Sequence, residues 1–187
     1  MQTLHFNTAA DFRDWLEKNH AESEGIWVRI FNKDSHRQSL TYAEALDQAL
    51  CYGWIDGQKK PFDERSWLQR FTQRRPKSRW SKRNTQHVER LIQAGAMTPA
   101  GREAVEAAKA DGRWEIAYAS SRSASPPEDF LKQLSKNEKA EAFFKTLNKA
   151  NVYAIVYRLE TAKKPETRER RMKTILAMME QGKAFHS

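Results

Sequence analysis

The stretch Trp54-Ile55-Asp56-Gly57-Gln58-Lys59-Lys60-Pro61-Phe62-Asp63-Glu64-Arg65-Ser66-Trp67-Leu68-Gln69-Arg70-Phe71-Thr72 decides the fold. Two short runs, Trp54 to Lys60 and Ser66 to Thr72, have the composition of strands; Pro61 closes the first, and Phe62-Asp63-Glu64-Arg65 joins them. An antiparallel hairpin is the economical arrangement. Asp56-Gly57 follows a helix end by only three residues, so Gly57 is expected to form a bulge inside the first strand and not a turn.

Upstream, Thr41-Tyr42-Ala43-Glu44 is a capping box. Tyr42, Ala45, Leu46, Ala49 and Leu50 follow at helical spacing, and Gly53 supplies the C-terminal stop. Gly25-Ile26-Trp27-Val28-Arg29-Ile30-Phe31 reads as a strand with Ile26, Val28 and Ile30 on one face and Trp27 and Phe31 on the other, which predicts that both faces are largely buried. Before it, Thr8 to Asp11 opens a helix with Phe12, Trp15 and Leu16 on one side, ending near Asn19-His20.

Downstream from about Ser81 the chain reads as helix. Val88, Leu91 and Ile92 precede Gly95, and Thr98-Pro99 is an N-cap followed by proline at the first helical position, leading into an alanine-rich helix that stops at Asp111-Gly112. Ser120 to Pro127 has linker composition. Beyond it, four apolar stripes recur: Phe130, Leu131 and Leu134; Phe143, Phe144 and Leu147; Val152, Ile155, Val156 and Leu159; and, after Pro165, Met172, Ile175, Leu176 and Met179. These helices can bury one another. The fold class is therefore α+β, a small antiparallel sheet with flanking helices over 1–119, with its basic and aromatic segment at 54–84, followed by an all-helical subdomain over 120–187.

The 187 residues carry a formal charge of +9 that is unevenly spread. Residues 1–58 hold 5 Lys/Arg against 9 Asp/Glu, whereas residues 59–90 hold 11 against 3. Such a field attracts anions, from nucleic acid to phosphorylated metabolites. The single cysteine excludes an intrachain disulfide and a cysteine-cluster zinc site. No run is apolar enough to span a membrane, and the N-terminus lacks a signal-peptide pattern, so a cytoplasmic location is expected.

Two constellations carry chemistry. In Cys51-Tyr52-Gly53-Trp54-Ile55-Asp56-Gly57-Gln58, two glycines permit close backbone approach, while Trp54, Asp56 and Gln58 offer an aromatic wall and polar determinants. Arg74-Arg75-Pro76-Lys77-Ser78-Arg79-Trp80-Ser81-Lys82-Arg83-Asn84 adds forked guanidiniums, a ring for stacking and a helix start whose free N–H groups favour an anion. Pro76 extends Arg75, so Arg74 and Arg75 are expected to point to different sides. Trp54, Asp56, Gln58, Arg74, Arg75, Ser78, Trp80 and Asn84 are thus the candidate ligand-binding set, for an anionic small molecule or an acidic partner. The 59–90 segment also suits nucleic acid, and a solvated basic face explains the same charges without a ligand.

Nucleophilic and metal chemistry find little support. Cys51 falls in the last turn of its helix, where the dipole raises a thiol pKa. His5, His20, His36, His87 and His186 show no metal-ligand spacing, Asp63 and Glu64 diverge as neighbours in a turn, and there is neither a glycine-rich phosphate loop nor a Gly-x-Ser-x-Gly elbow. No cofactor is called for and no catalytic residue is assigned; an enzyme of unknown reaction is the third reading, and it would require a ligand or metal beside Asp56.

The blocks Ala49 to Gln58, Phe71 to Asn84 and Val88 to Met97, with Gly112-Arg113-Trp114, Tyr118 and Glu166-Thr167-Arg168-Glu169-Arg170-Arg171, resemble the YdeI/OmpD-associated, or bacteriocin-protection, family over essentially the whole chain. Gln73 stands where that family's pattern often has proline. The resemblance implies a cytoplasmic protein of envelope stress and of protection against bacteriocins or cationic peptides, with no settled reaction. The order of elements is similar, at fold level, to small double-wing proteins proposed to bind DNA.

Overall fold

The computed structural model describes residues 1–119 and 124–186. They form two compact units, Met1–Ser78 with Asn84–Trp114, and Arg79–Arg83 with Glu115–Ser187. Ser120 to Ser123, within the expected linker, lie outside the described residues.

The first unit is built on a four-stranded sheet. Strands β1 (Thr3–His5), β2 (Ile26–Phe31), β3 (Trp54–Asp63) and β4 (Ser66–Gln73) lie in the order β1-β2-β4-β3, with β1 parallel to β2 and the other pairs antiparallel. The hairpin is as expected, closed by a turn in which Asp63 Oδ1 accepts from Arg65 N at 2.9 Å and Ser66 Oγ at 2.7 Å. The Ser66 hydroxyl, with the Arg65 amide and the Arg29 guanidinium, holds the Asp63 carboxyl below its usual range.

The bulge also falls where expected. The register shifts between Asp56 and Lys59, so that Gly57 and Gln58 oppose Arg70 alone. Their freed carbonyls accept from the buried Gln69 side chain, Nε2 lying 3.0 Å from Gly57 O and 3.3 Å from Gln58 O. Pro61, expected to end the strand, lies inside it opposite Trp67. As the outer strand of the sheet, β3 does not need a ladder donor from that residue.

Helix α1 (Ala9–Asn19) packs one side of the sheet, with Phe12 against Phe71 at 5.7 Å between ring centroids and Trp15 edge-on to Trp54 at 5.8 Å. Both α1 and α2 (Tyr42–Cys51) start at complete capping boxes, from Thr8 and Thr41. Gly53 follows α2 with φ of 72°, the left-handed stop its glycine permits. Ile26, Val28 and Ile30 are buried on the helix side. Trp27, Arg29 and Phe31 on the other side are only half-buried, against the expectation that both faces are largely covered. Arg29 sits in the middle of that second face, and its charge keeps the face partly wet.

Helices α3 (Lys82–Gln93) and α4 (Pro99–Ala110) follow. The start of α4 docks on the end of α2: Thr98 N and Oγ1 donate to Cys51 O at 3.1 and 2.6 Å. In the second unit, α5 (Glu128–Leu134), α6 (Glu138–Lys145), α7 (Lys149–Glu160) and α8 (Pro165–Glu180) correspond to the four expected stripes. They enclose one core of Phe130, Leu134, Ile155, Leu159, Ile175 and Met179, among others. Each large side chain buried there contributes about 1.5–3 kcal/mol. Asp129 and Arg168 tie α5 to α8 by a two-pronged ion pair, whose Arg168 hydrogen bonds lower the Asp129 pKa.

Candidate functional site

The eight residues singled out from the sequence occupy different environments. Trp54 is wholly buried; its indole Nε1 donates to His20 O at 3.1 Å, so the ring is a core element and not an exposed stacking face. Asp56 accepts from the Tyr42 hydroxyl at 2.8 Å, and Gln58 sits exposed in the bulge. Arg74 adjoins the start of the same strand, its amide donating to Gly53 O at 3.0 Å. Arg75 and Ser78 close a turn reciprocally, Arg75 N donating to Ser78 Oγ at 3.0 Å and Ser78 N to Arg75 O at 2.9 Å. Trp80 and Asn84 are buried, and Trp80 belongs to the second unit whereas the other seven belong to the first.

Arg113, read from the sequence only within Gly112-Arg113-Trp114 and not as a site residue, fixes this turn. Its guanidinium is buried, paired with Asp111 at 2.6 Å, and donates from Nη1 to Ser78 O at 2.8 Å. The signal was a lone arginine directly after the Asp111-Gly112 helix stop.

Around the end of α2 the ionisable groups are structural. Burial pushes the Cys51 thiol up, with Arg13 opposing it, so little thiolate forms near neutrality. Tyr52 is raised from 10 to about 12, first by burial and then by the 2.5 Å hydrogen bond it donates to Glu17. The fold therefore favours neutral Tyr52, which stabilises fully below pH 10 and ceases to do so as pH rises from 10 to about 12. Chemical denaturation across that interval is expected to show stability falling more steeply in the parent protein than in Tyr52→Phe; equal slopes would show that Tyr52 is not linked to folding.

A second set of cationic side chains converges in the helical unit. A cavity of about 460 Å3 is lined by Arg79, Arg158, Arg170 and Arg171, together with Tyr157 and Phe185, and its lining includes no Asp or Glu. Arg158 lies 3.9 Å over the Phe185 ring and donates from Nη1 to Ala154 O at 2.9 Å; Arg171 Nη1 donates to Arg158 O at 2.7 Å. Arg79 stands 5.3 Å over Tyr157. Among the described residues, Arg158, Arg170 and Arg171 form no ion pair. Asn151 pins the tail that supplies Phe185, its side-chain oxygen accepting from the amides of Phe185 and His186 at 2.9 Å each.

Comparison with protein-family models divides the chain in a similar way. Residues 4–104 match a domain of unknown function, DUF8412, which covers more than half of the chain. The chain belongs to the DUF8412 family. Residues 123–182 match the model described as bacteriocin-protection, YdeI or OmpD-associated. No curated protein and no solved structure matches the chain. The bacteriocin-protection resemblance thus holds over about a third of the chain and not over its whole length. Of the blocks that suggested it, only Glu166–Arg171 lies within the matched residues, while Ala49 to Gln58, Phe71 to Asn84 and Val88 to Met97 fall in the DUF8412 segment. Arg158, Arg170 and Arg171 all lie in the bacteriocin-protection match. Among the described residues, no helix is long and apolar enough to cross a membrane.

Proposed function

We propose that this DUF8412-family protein is a binding module for a small anionic ligand, of the bacteriocin-protection type, and that the ligand sits in the arginine-lined cavity of the helical unit. The observation that carries the reading is four guanidiniums around one cavity with no lining carboxylate. Guanidinium forks recognise carboxylate and phosphate bidentately, and three of the four, Arg158, Arg170 and Arg171, form no ion pair among the described residues, so an anion would relieve their mutual repulsion. The Arg158 and Arg171 side chains are tethered by backbone carbonyls, which lowers the ordering cost of binding. Phe185 and Tyr157 add apolar wall, suited to a ligand with an organic body behind its anionic group. The expected set enters the same proposal as a secondary contact in the first unit, with Arg74, Arg75, Ser78 and Asn84 for the anion and Asp56 and Gln58 as polar determinants beside them, and with 1–119 and 120–187 as the working division of domains.

Pyrophosphate is a suitable first probe. Its addition is expected to raise the melting temperature of the parent protein, by an amount equivalent to about 2.7 kcal/mol once it reaches about 100 times its Kd. Arg170 is exposed and makes no side-chain hydrogen bond among the described residues. Arg170→Gln should therefore leave the ligand-free melting temperature unchanged or higher while weakening pyrophosphate binding about tenfold, as loss of one charge-assisted contact requires. Arg75→Ala, titrated alongside, reads any contribution from the first unit. Identical titrations of the parent and Arg170→Gln would remove the cavity from the reading.

A further inference from the structure

We propose that the face of the sheet turned away from α1 binds single-stranded nucleic acid. This goes beyond the small-anion reading and rests on different residues. The registers place Trp27, Arg29 and Phe31 of β2 on the same face as Lys60 of β3, through the pairs Arg29↔Leu68 and Lys60↔Leu68. Ring contacts agree with that assignment. The Lys60 ammonium stands 4.3 Å over the Trp27 ring, and the Arg29 guanidinium lies between Phe31 and Phe62, at 4.4 and 4.7 Å from their centroids. Arg37 covers Phe31 from a further direction at 5.4 Å.

Trp27 and Phe31 are half-buried, each leaving part of its ring accessible, and Phe62 is 51% exposed. A sheet face of flat rings, each topped by a cation, presents the two groups a nucleotide needs: a surface for its base and a positive charge for its phosphate. An exposed cation on a ring is worth about 0.5–1 kcal/mol, whereas stacking a base there is worth about 1–3 kcal/mol. A base can therefore displace Lys60 from Trp27, freeing its ammonium to pair with a phosphate of the same strand. Lys60 and Arg37 form no ion pair among the described residues, while Arg29 is held by Asp63 at 2.6 Å and serves as a fixed spacer between two rings. Trp27 and Phe31 are four residues apart on one strand, about 13 Å, so two bases can stack separately. A duplex, whose bases are already stacked on one another, cannot use these rings.

The test is fluorescence anisotropy with labelled oligo(dT) and oligo(U) of about 12 nucleotides, at about 50 mM salt, with a duplex of the same length as competitor. Both single strands are expected to bind in the micromolar range and the duplex at least tenfold more weakly; a difference between oligo(dT) and oligo(U) would tell which sugar the face prefers. Phe62→Ala, an exposed change that the fold tolerates, and Trp27→Ala should each weaken binding about tenfold. Lys60→Glu should weaken it and flatten the salt dependence by at least about 0.7 in slope, the value for one lost phosphate contact on a single strand. The proposal is overturned by absence of binding at about 100 µM protein, by a duplex that competes as well as the single strand, or by an unchanged Kd in a folded Phe62→Ala. Loss of oligonucleotide binding in Arg170→Gln but not in Phe62→Ala would also overturn it, placing the strand at the arginine cavity and leaving the small-anion reading intact.

Discussion

Gly101→Ala is expected to destabilise the first unit by about 2–4 kcal/mol, against the usual sign of such a change. In a helix interior, alanine in place of glycine normally stabilises by about 0.5–1 kcal/mol, because it restricts the unfolded chain. At position 101 a Cβ would lie 2.1 Å from the carbonyl oxygen of Cys51, 2.7 Å from its carbonyl carbon and 2.8 Å from Met97 Cε. Met97 Cε is the end of a flexible side chain and can turn away. The carbonyl cannot, since it is backbone at the end of α2 and accepts from both Thr98 N and Thr98 Oγ1. Relief requires α4 to withdraw from α2, which breaks those two hydrogen bonds and opens the packing beside Gly53, where Ala100 O and Ala104 Cβ already lie within 3.0 and 3.3 Å of the Cβ position. Overpacking of this kind costs about 1–3 kcal/mol before lost hydrogen bonds are counted. Urea denaturation of the two proteins measures the difference, and a neutral or stabilising result would mean that α4 can move off α2 at no cost.

The helices were legible because their ends are written in local chemistry. Thr8, Thr41 and Thr98 each cap the helix that the spacing predicted, and the four apolar stripes after Pro127 became α5 to α8. The hairpin and its bulge were legible for the same reason, since a glycine and a turn carboxylate act within a few residues. Strand β1 was not, because three residues are too few to show a period and its pairing with β2 is a parallel, long-range contact. The second face of β2 was misjudged by weighing Trp27 and Phe31 without the intervening Arg29. The arginine cavity was hidden for a different reason: Arg79, Arg158 and Arg171 are far apart in sequence, and Arg158 looked like an ordinary charge on a helix whose stripe is Val152, Ile155, Val156 and Leu159. A positive charge excess could be read from the sequence, but the place where guanidiniums gather around one cavity is a property of the helix packing.

Trp54→Ala is expected to cost about 3–5 kcal/mol, the range for removing a large aromatic from a packed interior. The ring is fully buried, meets the edge of Trp15 and anchors the start of β3 beside Arg74, so its loss leaves a cavity at the point where sheet, α1 and α2 converge. Trp54→Phe separates packing from hydrogen bonding. It keeps most of the aromatic volume and removes the indole N–H, yet His20 O still accepts from Gln73 Nε2 at 2.6 Å and is not left bare. Because an unsatisfied carbonyl is the expensive outcome and does not arise, Trp54→Phe should cost only about 1–2 kcal/mol. The ratio between the two variants is the informative quantity. A large loss in alanine with a small one in phenylalanine fits a ring whose work is filling space, whereas a Trp54→Ala protein as stable as its parent would return Trp54 to the ligand-binding set in which the sequence placed it.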